Sequence, residues 1–244
     1  MIAKYVSSPT QQHIQAAKRV IKYLKGTRSL GITFSHQSNS LLQGHVKFPI
    51  PLQPTGLSDA NWGPQDASKP KPGTTETLDL FKTRSISGFL LWMNGPLHWS
   101  SKRQNITARS TAEAEVYATD ECAKSVAHLR KLIFGLGLGK ELMLNKTIIY
   151  NDNSAYVCWS HNMTTKGLRH IQIRENGVRE MVQAGILGIE HIKGKLNLAD
   201  LFTKEDRDVE HFLSIRDVLL QPKSTFMQNQ SPVNSNYGLG CKDI

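Results

Sequence analysis

Cysteine is scarce in this chain, and the few cysteines that it has form no recognisable pattern. The 244 residues include only Cys122, Cys158 and Cys241. An odd number with no metal-ligand spacing makes a reducing compartment the simplest interpretation, and a zinc site is not expected.

Long apolar runs are also missing. No run reaches the roughly 20 residues that a membrane-spanning helix needs. The first residues, "MIAKYVSSPTQQH", lack the apolar stretch of a secretory signal. We therefore expect no membrane partner. With 39% hydrophobic residues, the chain can still form one or two domains with cores.

Acidic residues are outnumbered. The chain has 20 Asp and Glu against 30 Lys and Arg, which gives a net charge of +10 and a pI of about 9.6. Such an excess favours a polyanionic partner such as nucleic acid. An ordinary basic surface explains the composition equally well.

Helical spacing is clear near the N-terminus. Ile14, Ala17, Ile21 and Leu24 recur on one side of a predicted helix over residues 10–26, and Gly26 is a typical helix stop. The opposite side is rich in basic residues. Either it is a solvated face or it contacts nucleic acid.

Strand signals dominate the next part of the chain. The segment "TGLSDANW" is predicted as a strand that ends at Asp59, and residues 63–83 as an exposed insertion rich in Pro, Gly, Lys and Thr. Two apolar runs flank Asn94-Gly95, the dipeptide of type I′ turns. Strands near 86–93 and 96–101 should therefore pair as an antiparallel hairpin.

The remaining segments alternate between helix and strand. A helix follows Ser110, "KTIIYND" is predicted as a buried strand, and a helix covers about 153–160. A further helix in "RHIQIRENGVREMVQAG", a strand in "ILGIEHIKG" and helical pieces in "NLADLFTK" and "DVEHFLSIRDVLL" follow. The polar tail from Pro222 is predicted to be disordered. This order predicts a mixed sheet covered by helices.

Two carboxylates lie in the first turns of the helix that follows Ser110. Ser110 and Glu113 have the spacing of a capping box, which gives Glu113 a structural role. On a helical wheel Glu115 falls within the apolar stripe, which also contains Arg130; the stripe includes Ala112, Val116, Thr119, Ala123, Val126, Ala127, Ile133 and Phe134. A carboxylate there is unfavourable unless it is paired or binds a cation. A half-exposed Glu at the edge of the stripe is the alternative.

Three further acids lie near the ends of predicted elements. Asp59 ends a strand, Asp152 follows "TIIY" at the carboxyl end of a strand, and Asp200 lies between apolar residues in "NLADLFTK". Each alone could be a cap or turn residue, and Asp152 could be an N-cap. Together with Glu115 they suggest a cluster that needs divalent cations, and oxygen ligands suit Mg²⁺ or Mn²⁺.

Several separate blocks carry a family resemblance over residues 9–220. The series "SDANW…RSISGFLLWMNGPLHWSSKRQ…RSTAEAEVYA…YNDNSA…RHIQIRENGVRE…NLADLFTK" resembles the ribonuclease H domain of Ty1/copia-type retrotransposon polyproteins. The resemblance implies a ribonuclease H-like α/β fold: a mixed five-stranded sheet, with its first three strands antiparallel, and flanking helices. The family's four acids correspond to Asp59, Glu115, Asp152 and Asp200, while its further acid in "SDAD" is Asn61 here.

The same resemblance implies an organisation into three parts. Residues 1–53 are similar to the thumb or connection end of a reverse transcriptase, 54–221 to the ribonuclease H domain with an insertion at 63–83, and 222–244 form a disordered tail. No "YVDD"-like polymerase signature is present. We therefore expect a C-terminal fragment or a degraded copy, with other parts of the polyprotein as partners, located in cytoplasmic virus-like particles or in the nucleus.

The implied chemistry is hydrolysis of the RNA strand of an RNA–DNA hybrid. The family pattern implies two Mg²⁺ or Mn²⁺ ions and in-line attack of water, which leaves a 5′-phosphate and a 3′-hydroxyl. Asp59 and Asp152 would be central, and Glu115 and Asp200 would flank them. Phosphate-binding candidates are Lys102, Arg103 and Arg109. His191 is either a structural residue or a participant in proton transfer or product release.

Two other interpretations of the sequence stay open. The chain could be an inactive remnant that keeps the fold and only binds nucleic acid. It could also be an interaction protein descended from a retroelement. The four acids favour the hydrolase.

Overall fold

The computed structural model describes residues 6–35, 42, 44–45, 53–63, 84–139, 145–161, 172–204 and 208–222. Most of the predicted insertion at 63–83 and nearly all of the predicted tail at 222–244 lie outside these residues. The chain divides into two compact units, one with residues up to 32 and from 220 onward, the other with residues 33–219. The predicted boundaries at 53 and 221 stay predictions.

The first unit contains the predicted N-terminal helix and a short strand pair. Helix α1 covers Gln11–Gly26, and strand β1, Leu30–Gly31, pairs antiparallel with β7, Gln221–Pro222. The helix begins where the Thr10 backbone N–H donates to Nδ1 of His13 at 3.0 Å. The predicted helix is therefore confirmed. None of its residues is buried by the described part of the chain, and Ile21 is 65% exposed.

The second unit is built on a five-stranded sheet with the order β4-β3-β2-β5-β6. The strands are β2, Thr55–Asn61; β3, Ile86–Trp92; β4, Pro96–Arg103; β5, Thr147–Asn151; and β6, Leu187–His191. Strands β2, β3 and β4 pair antiparallel, whereas β5 is parallel to both β2 and β6. This is the predicted mixed five-stranded sheet with its first three strands antiparallel, so the predicted α/β fold class is confirmed.

Helices accompany the sheet at the places that the sequence predicts. Helix α2 covers Thr111–Gly135, α3 covers Ser154–His161, α4 covers Gln172–Gln183 and α5 covers Val209–Leu219. The segment "NLADLFTK" forms a 3₁₀ helix at Leu198–Phe202, which follows another at Gly194–Leu196. In the described residues, no helix is long and apolar enough to cross a bilayer.

The hydrophobic core lies between the sheet and α2. Alternate residues of the strands face α2, and its apolar stripe covers them. The wheel prediction is correct for Val126 and Ile133 but wrong for Phe134, which is 64% exposed. One core cluster, to which α3 and α4 also contribute, consists of Phe89, Leu91, Val116, Cys122, Ala123, Val126, Ile149, Tyr156, Val157, Val178, Leu187 and Ile189.

Arg130 interrupts the apolar stripe of α2 for a structural reason. Its guanidinium donates to the Asn145 carbonyl and to Oγ1 of Thr147, both at 3.0 Å. Arg130 therefore links the helix to the beginning of β5. The two hydrogen bonds give the buried guanidinium the partners that a buried polar group requires.

The hairpin prediction is confirmed with one difference. Trp92 pairs with Pro96, so three residues connect β3 and β4 instead of two. Asn94 and Gly95 have φ values of 57° and 153°, and positive φ is the reason for Asn and Gly in such turns. A register shift lies between Leu91 and Trp92, next to the turn.

The 3₁₀ helix at Leu198–Phe202 packs closely on the other face of the sheet at Gly88. A Cβ atom on Gly88 would lie 2.6 Å from Cγ2 of Thr203 and 2.8 Å from Cβ of Phe202. Ser101, the β4 neighbour of Gly88, donates to the Phe202 carbonyl at 2.6 Å. The absence of a side chain at Gly88 therefore permits the contact that fixes the segment carrying Asp200.

We expect Gly88→Ala to lower the free energy of unfolding by about 1–3 kcal/mol, because the added methyl group must displace Thr203 and Phe202. Urea denaturation followed by circular dichroism measures this change. Gly177→Ala in α4 is the control, since nothing lies within 4 Å of its added Cβ. It should raise the stability by about 0.5–1 kcal/mol. Equal effects of the two substitutions would contradict the packing argument.

Candidate active site

Parallel pairing of β2 and β5 brings two of the predicted acids side by side. Ser58 is in register with Asn151, so the next residues of the two strands, Asp59 and Asp152, lie together near the carboxyl ends. Neighbouring strands are about 4.8 Å apart. The prediction that β2 ends at Asp59 is wrong, because the pairing with β3 continues to Asn61. Asp59 lies within the strand and is 2% exposed.

Helix α2 supplies the third acid. Glu115 is 5% exposed, so the alternative of a half-exposed residue at the edge of the stripe is wrong. Glu113 is also buried, but its function is to begin the helix. Its backbone N–H donates to Oγ of Ser110 at 3.1 Å, and its carboxylate accepts from the Arg109 backbone N–H at 2.6 Å. Glu113 thus stabilises the start of the helix, and Glu115 is the glutamate that belongs to the acidic site.

Asp59, Glu115 and Asp152 form a group whose ligand oxygens all lie within 4.8 Å of one another. Oxygens on one Mg²⁺ at about 2.1 Å are separated by about 3 Å when adjacent and about 4 Å when opposite. Small side-chain movements therefore suffice for a shared ion. Three carboxylates without nitrogen or sulfur ligands match the preference of Mg²⁺ or Mn²⁺, so the residues fit a divalent cation.

Asp200 lies beside this group but makes different contacts. It is 3% exposed, and its charge raises the pKa of both Asp59 and Asp152 in addition to their burial. One of its oxygens lies 2.5 Å from Nζ of Lys204, and the other lies 3.3 Å from Nε2 of His211. The structure thus brings the fourth acid to the site, with both carboxylate oxygens in contact with basic side chains. Its role as a metal ligand stays a prediction.

The pKa values of the three grouped carboxyls are all raised, so these groups hold protons more firmly than usual. Burial raises the pKa of Asp59 to about 6, and the charge of Lys204 opposes this rise. Burial and the nearby Asp59 raise the pKa of Glu115 well above its ordinary value. The pKa of Asp152 is also raised by burial. Divalent cations would relieve this repulsion, which is why such a group fits a metal site.

The cap of α3 is Asn153, so the alternative of Asp152 as the N-cap is wrong. The Tyr156 backbone N–H donates to Oδ1 of Asn153 at 3.0 Å. Asp152 therefore keeps its carboxylate for the acidic group. Nε2 of His191 lies 3.2 Å from the Asp152 carbonyl, on the backbone side of this residue. That contact is consistent with the structural interpretation of His191.

Asn151 is a site residue that the sequence analysis missed. It is fully buried, and its Nδ2 donates to Oε2 of Glu115 at 2.8 Å and to Oγ of Ser58 at 3.1 Å. Its Oδ1 accepts from the Asn153 backbone N–H at 2.8 Å. Asn151 therefore links β2, α2 and the beginning of α3. The only sequence signal was a polar residue in the last position of a buried strand.

Two more polar side chains join the elements around the acids. Oγ1 of Thr203 donates to Oδ2 of Asp59. Nδ2 of Asn197 donates to the Ser58 carbonyl at 2.9 Å, and its Oδ1 caps the 3₁₀ helix through the Ala199 N–H. These contacts hold the segment that carries Asp200 against β2.

The predicted phosphate-binding residues divide into two places. Lys102 and Arg103 line a cavity of about 70 Å³ together with Ser87 and Tyr117, and none of the four acids lines it. Arg109 is exposed immediately before the N-cap of α2. Asn61, where the family resemblance implies a further acid, donates to the Thr203 carbonyl at 3.4 Å.

We expect Asp59→Asn to stabilise the metal-free protein at pH 7.5 by about 1–3 kcal/mol and to have little effect near pH 4. Asp59 has a pKa of about 6 in the folded chain against an ordinary value of 3.8. Between these values the folded state binds more protons than the unfolded state, so stability falls as the pH rises through this window. Urea denaturation in EDTA at several pH values measures the effect.

Asp217→Asn is the control for this pH dependence, because the Asp217 side chain is 60% exposed and pairs with Arg216 at the surface. It should change the stability little at either pH. A stabilisation by Asp59→Asn that is the same at both pH values would contradict the electrostatic origin.

Sequence comparison finds similarity to transposon polyproteins over most of the chain. The retrovirus-related Pol polyprotein from transposon RE1 of Arabidopsis thaliana is 28% identical over 207 residues, which is 83% of this chain and 12% of that protein. The Pol polyprotein from transposon TNT 1-94 of Nicotiana tabacum is 27% identical over 206 residues, 84% of this chain and 13% of that protein. The chain thus spans about an eighth of the length of these relatives.

Comparison with solved structures finds LC11-RNase H1, isolated from compost, at a TM-score of 0.42 and 14% identity, with 62% of this chain and 93% of that chain covered. The same enzyme in complex with an RNA/DNA hybrid has a TM-score of 0.40. No family model matches the chain. Over 83% of its length, the chain is thus similar in sequence to retrovirus-related Pol polyproteins of plant transposons.

Proposed function

We propose that the chain is a Mg²⁺-dependent endoribonuclease of a Ty1/copia-type retrotransposon that cuts the RNA strand of RNA–DNA hybrids. The observation that carries this proposal is the buried group of Asp59, Glu115 and Asp152, whose oxygens lie within 4.8 Å of one another. Three separate elements supply these acids, and all of them meet near the carboxyl ends of β2 and β5. The similarity to Pol polyproteins supports the same function.

Two divalent ions, Mg²⁺ or Mn²⁺, are proposed as cofactors. Held by the acids, they would lower the pKa of a water molecule and stabilise the leaving oxygen of the phosphodiester. The protein's own part is to hold the carboxylates in place. Asn151 fixes one oxygen of Glu115, and Thr203 fixes one oxygen of Asp59. We assign Asp59 and Asp152 to the centre of the site, with Glu115 and Asp200 on either side.

Basic residues would bind the nucleic-acid backbone around this site. Lys102 pairs in register with Ser87, which pairs with Ala60, the residue after Asp59. Two strand spacings separate β4 from β2, so the Lys102 backbone lies about 10 Å from that of Ala60. This distance suits a contact from Lys102 to a phosphate that neighbours the cleaved one, and Arg103 and Arg109 are proposed as further phosphate contacts.

The wider setting of the chain is proposed from the sequence similarity alone. Other parts of a polyprotein would be its partners, residues 1–53 would derive from a reverse transcriptase, and cytoplasmic virus-like particles would contain it, with the nucleus as the alternative. Fractionation of cells that express a tagged chain tests the location. Recovery in a membrane fraction would contradict it.

Glu115→Gln should lower Mg²⁺-dependent cleavage of a labelled RNA–DNA hybrid by about 10²-fold or more, because it removes one of three grouped carboxylates. Glu113→Gln is the matched control, two residues earlier on the same helix and equally buried. It weakens the helix start, which is worth about 0.5–2 kcal/mol, but leaves the acidic group intact. It should therefore retain cleavage at a temperature well below unfolding.

Asp152→Asn should also abolish cleavage. Retained activity in both Glu115→Gln and Asp152→Asn would contradict the assignment of these residues to the catalytic acidic group. Salt-dependent binding of the hybrid by the wild-type chain without any cleavage in Mg²⁺ or Mn²⁺ would instead identify an inactive remnant that only binds nucleic acid.

A further inference from the structure

Lys204 introduces a positive charge at a place where the proposed function needs cations. Its Nζ lies 2.5 Å from Oδ1 of Asp200, and its charge also acts on Asp59 and Asp152. The Lys204 side chain is 42% exposed, whereas that of Asp200 is 4% exposed. An ammonium group on a flexible stem therefore reaches from solvent into a buried carboxylate cluster.

The backbone around Lys204 explains how it arrives there. The Asp200 carbonyl accepts from the backbone N–H groups of Thr203 at 3.3 Å and of Lys204 at 3.2 Å. This turn places Lys204 four residues after Asp200, on the same side. The turn is held to the sheet by Thr203, which donates to Asp59, and by the close packing on Gly88. The position of Lys204 is thus fixed by the same contacts that fix Asp200.

The acids divide into two sets by their neighbours. Asp59, Glu115 and Asp152 form the group that could share one ion. Asp200 has Lys204 at one carboxylate oxygen and His211, at 3.3 Å, at the other. Each Asp200 oxygen has a further lone pair, but a second divalent ion bound there would lie beside one of these basic groups, and Nζ of Lys204 is the nearer of the two at 2.5 Å.

We infer that Lys204 competes with the second divalent ion for Asp200, so that the site binds one ion tightly and a second only when the Lys204 side chain leaves. The inference rests on the proposed two-ion site and adds a residue that regulates its occupancy. A fixed positive charge a few ångströms from a divalent ion is strongly unfavourable, whereas outward rotation of a lysine side chain requires no change in the backbone.

Manganese titration of the full chain, followed by calorimetry and by electron paramagnetic resonance of free Mn²⁺, tests the inference. The wild-type chain should bind one ion tightly and a second more weakly. Lys204→Met should tighten the second site by about tenfold or more and the first site by less, because Lys204 contacts Asp200 directly and acts on Asp59 and Asp152 only through its charge. Lys204→Arg, which retains the charge, should keep the weak second site.

Lys124→Met is the matched control. Lys124 also pairs with a buried aspartate four residues away, since its Nζ lies 2.7 Å from Oδ2 of Asp120, whose side chain is 7% exposed. This pair is on α2 and outside the acidic group. Its removal should leave both Mn²⁺ affinities unchanged, which separates a local effect from a general change in net charge. Thermal unfolding of each variant shows whether it is folded.

Asp200→Asn tests whether Asp200 is the carboxylate for which Lys204 and the second ion compete. Combined with Lys204→Met, it should abolish the tightened second site and retain the first. Unchanged Mn²⁺ affinities in folded Lys204→Met would overturn the inference, and so would loss of the first site in Asp200→Asn. Failure of the wild-type chain to cleave any hybrid, with the Lys204 effect present, would reject the proposed function and leave the competition standing.

Discussion

The parallel pairing between β2 and β5 is the interaction on which the candidate site depends. It sets Ser58 beside Asn151, and this register puts Asp59 and Asp152 next to each other. A slip of one residue would turn one of the two acids to the opposite face of the sheet. Antiparallel strands need only a short turn, but a parallel pair needs a crossover, and here α2 lies in that crossover. The connection that permits the pairing therefore also supplies Glu115.

Holding these carboxylates together without a cation is unfavourable, and the surrounding polar contacts reduce the cost. Asn151, Ser58, Thr119 and Asn197 are all fully buried and are joined by hydrogen bonds that connect β2, α2, β5 and the 3₁₀ helix. Each donor in this network has a partner within these elements, as buried polar groups require. Raised pKa values show that the compensation is incomplete for Asp59, Glu115 and Asp152. A bound divalent cation would offset this remaining cost, which comes first from burial and then from the mutual repulsion of the carboxylates.

Local patterns in the sequence were sufficient to predict the helices and strands and to choose between the two neighbouring glutamates. Ser110 caps α2 as the spacing predicts, and the wheel argument separates Glu115 from Glu113, although both are buried. Asn94 and Gly95 predicted the hairpin because Asn and Gly adopt the positive φ of such turns more readily than other residues do. The errors have local causes as well. The end of β2 extends beyond Asp59 because its partner β3 continues the ladder, and Phe134 is exposed although its neighbour Ile133 is buried, so the two residues lie on different sides of the helix end.

Residue types and their spacing by themselves determined the helices, the strands, the antiparallel start of the sheet and the choice of Glu115 over Glu113, since these depend on periodicity and turn chemistry within a few residues. The tertiary structure alone decided which acids share a group, since strand register and helix packing act between residues far apart in the chain. It also decided that Asn153 rather than Asp152 caps α3, that Asn151 holds Glu115, and that Lys204 reaches Asp200. No pattern along the sequence contains those distances, because each arises where separate elements meet.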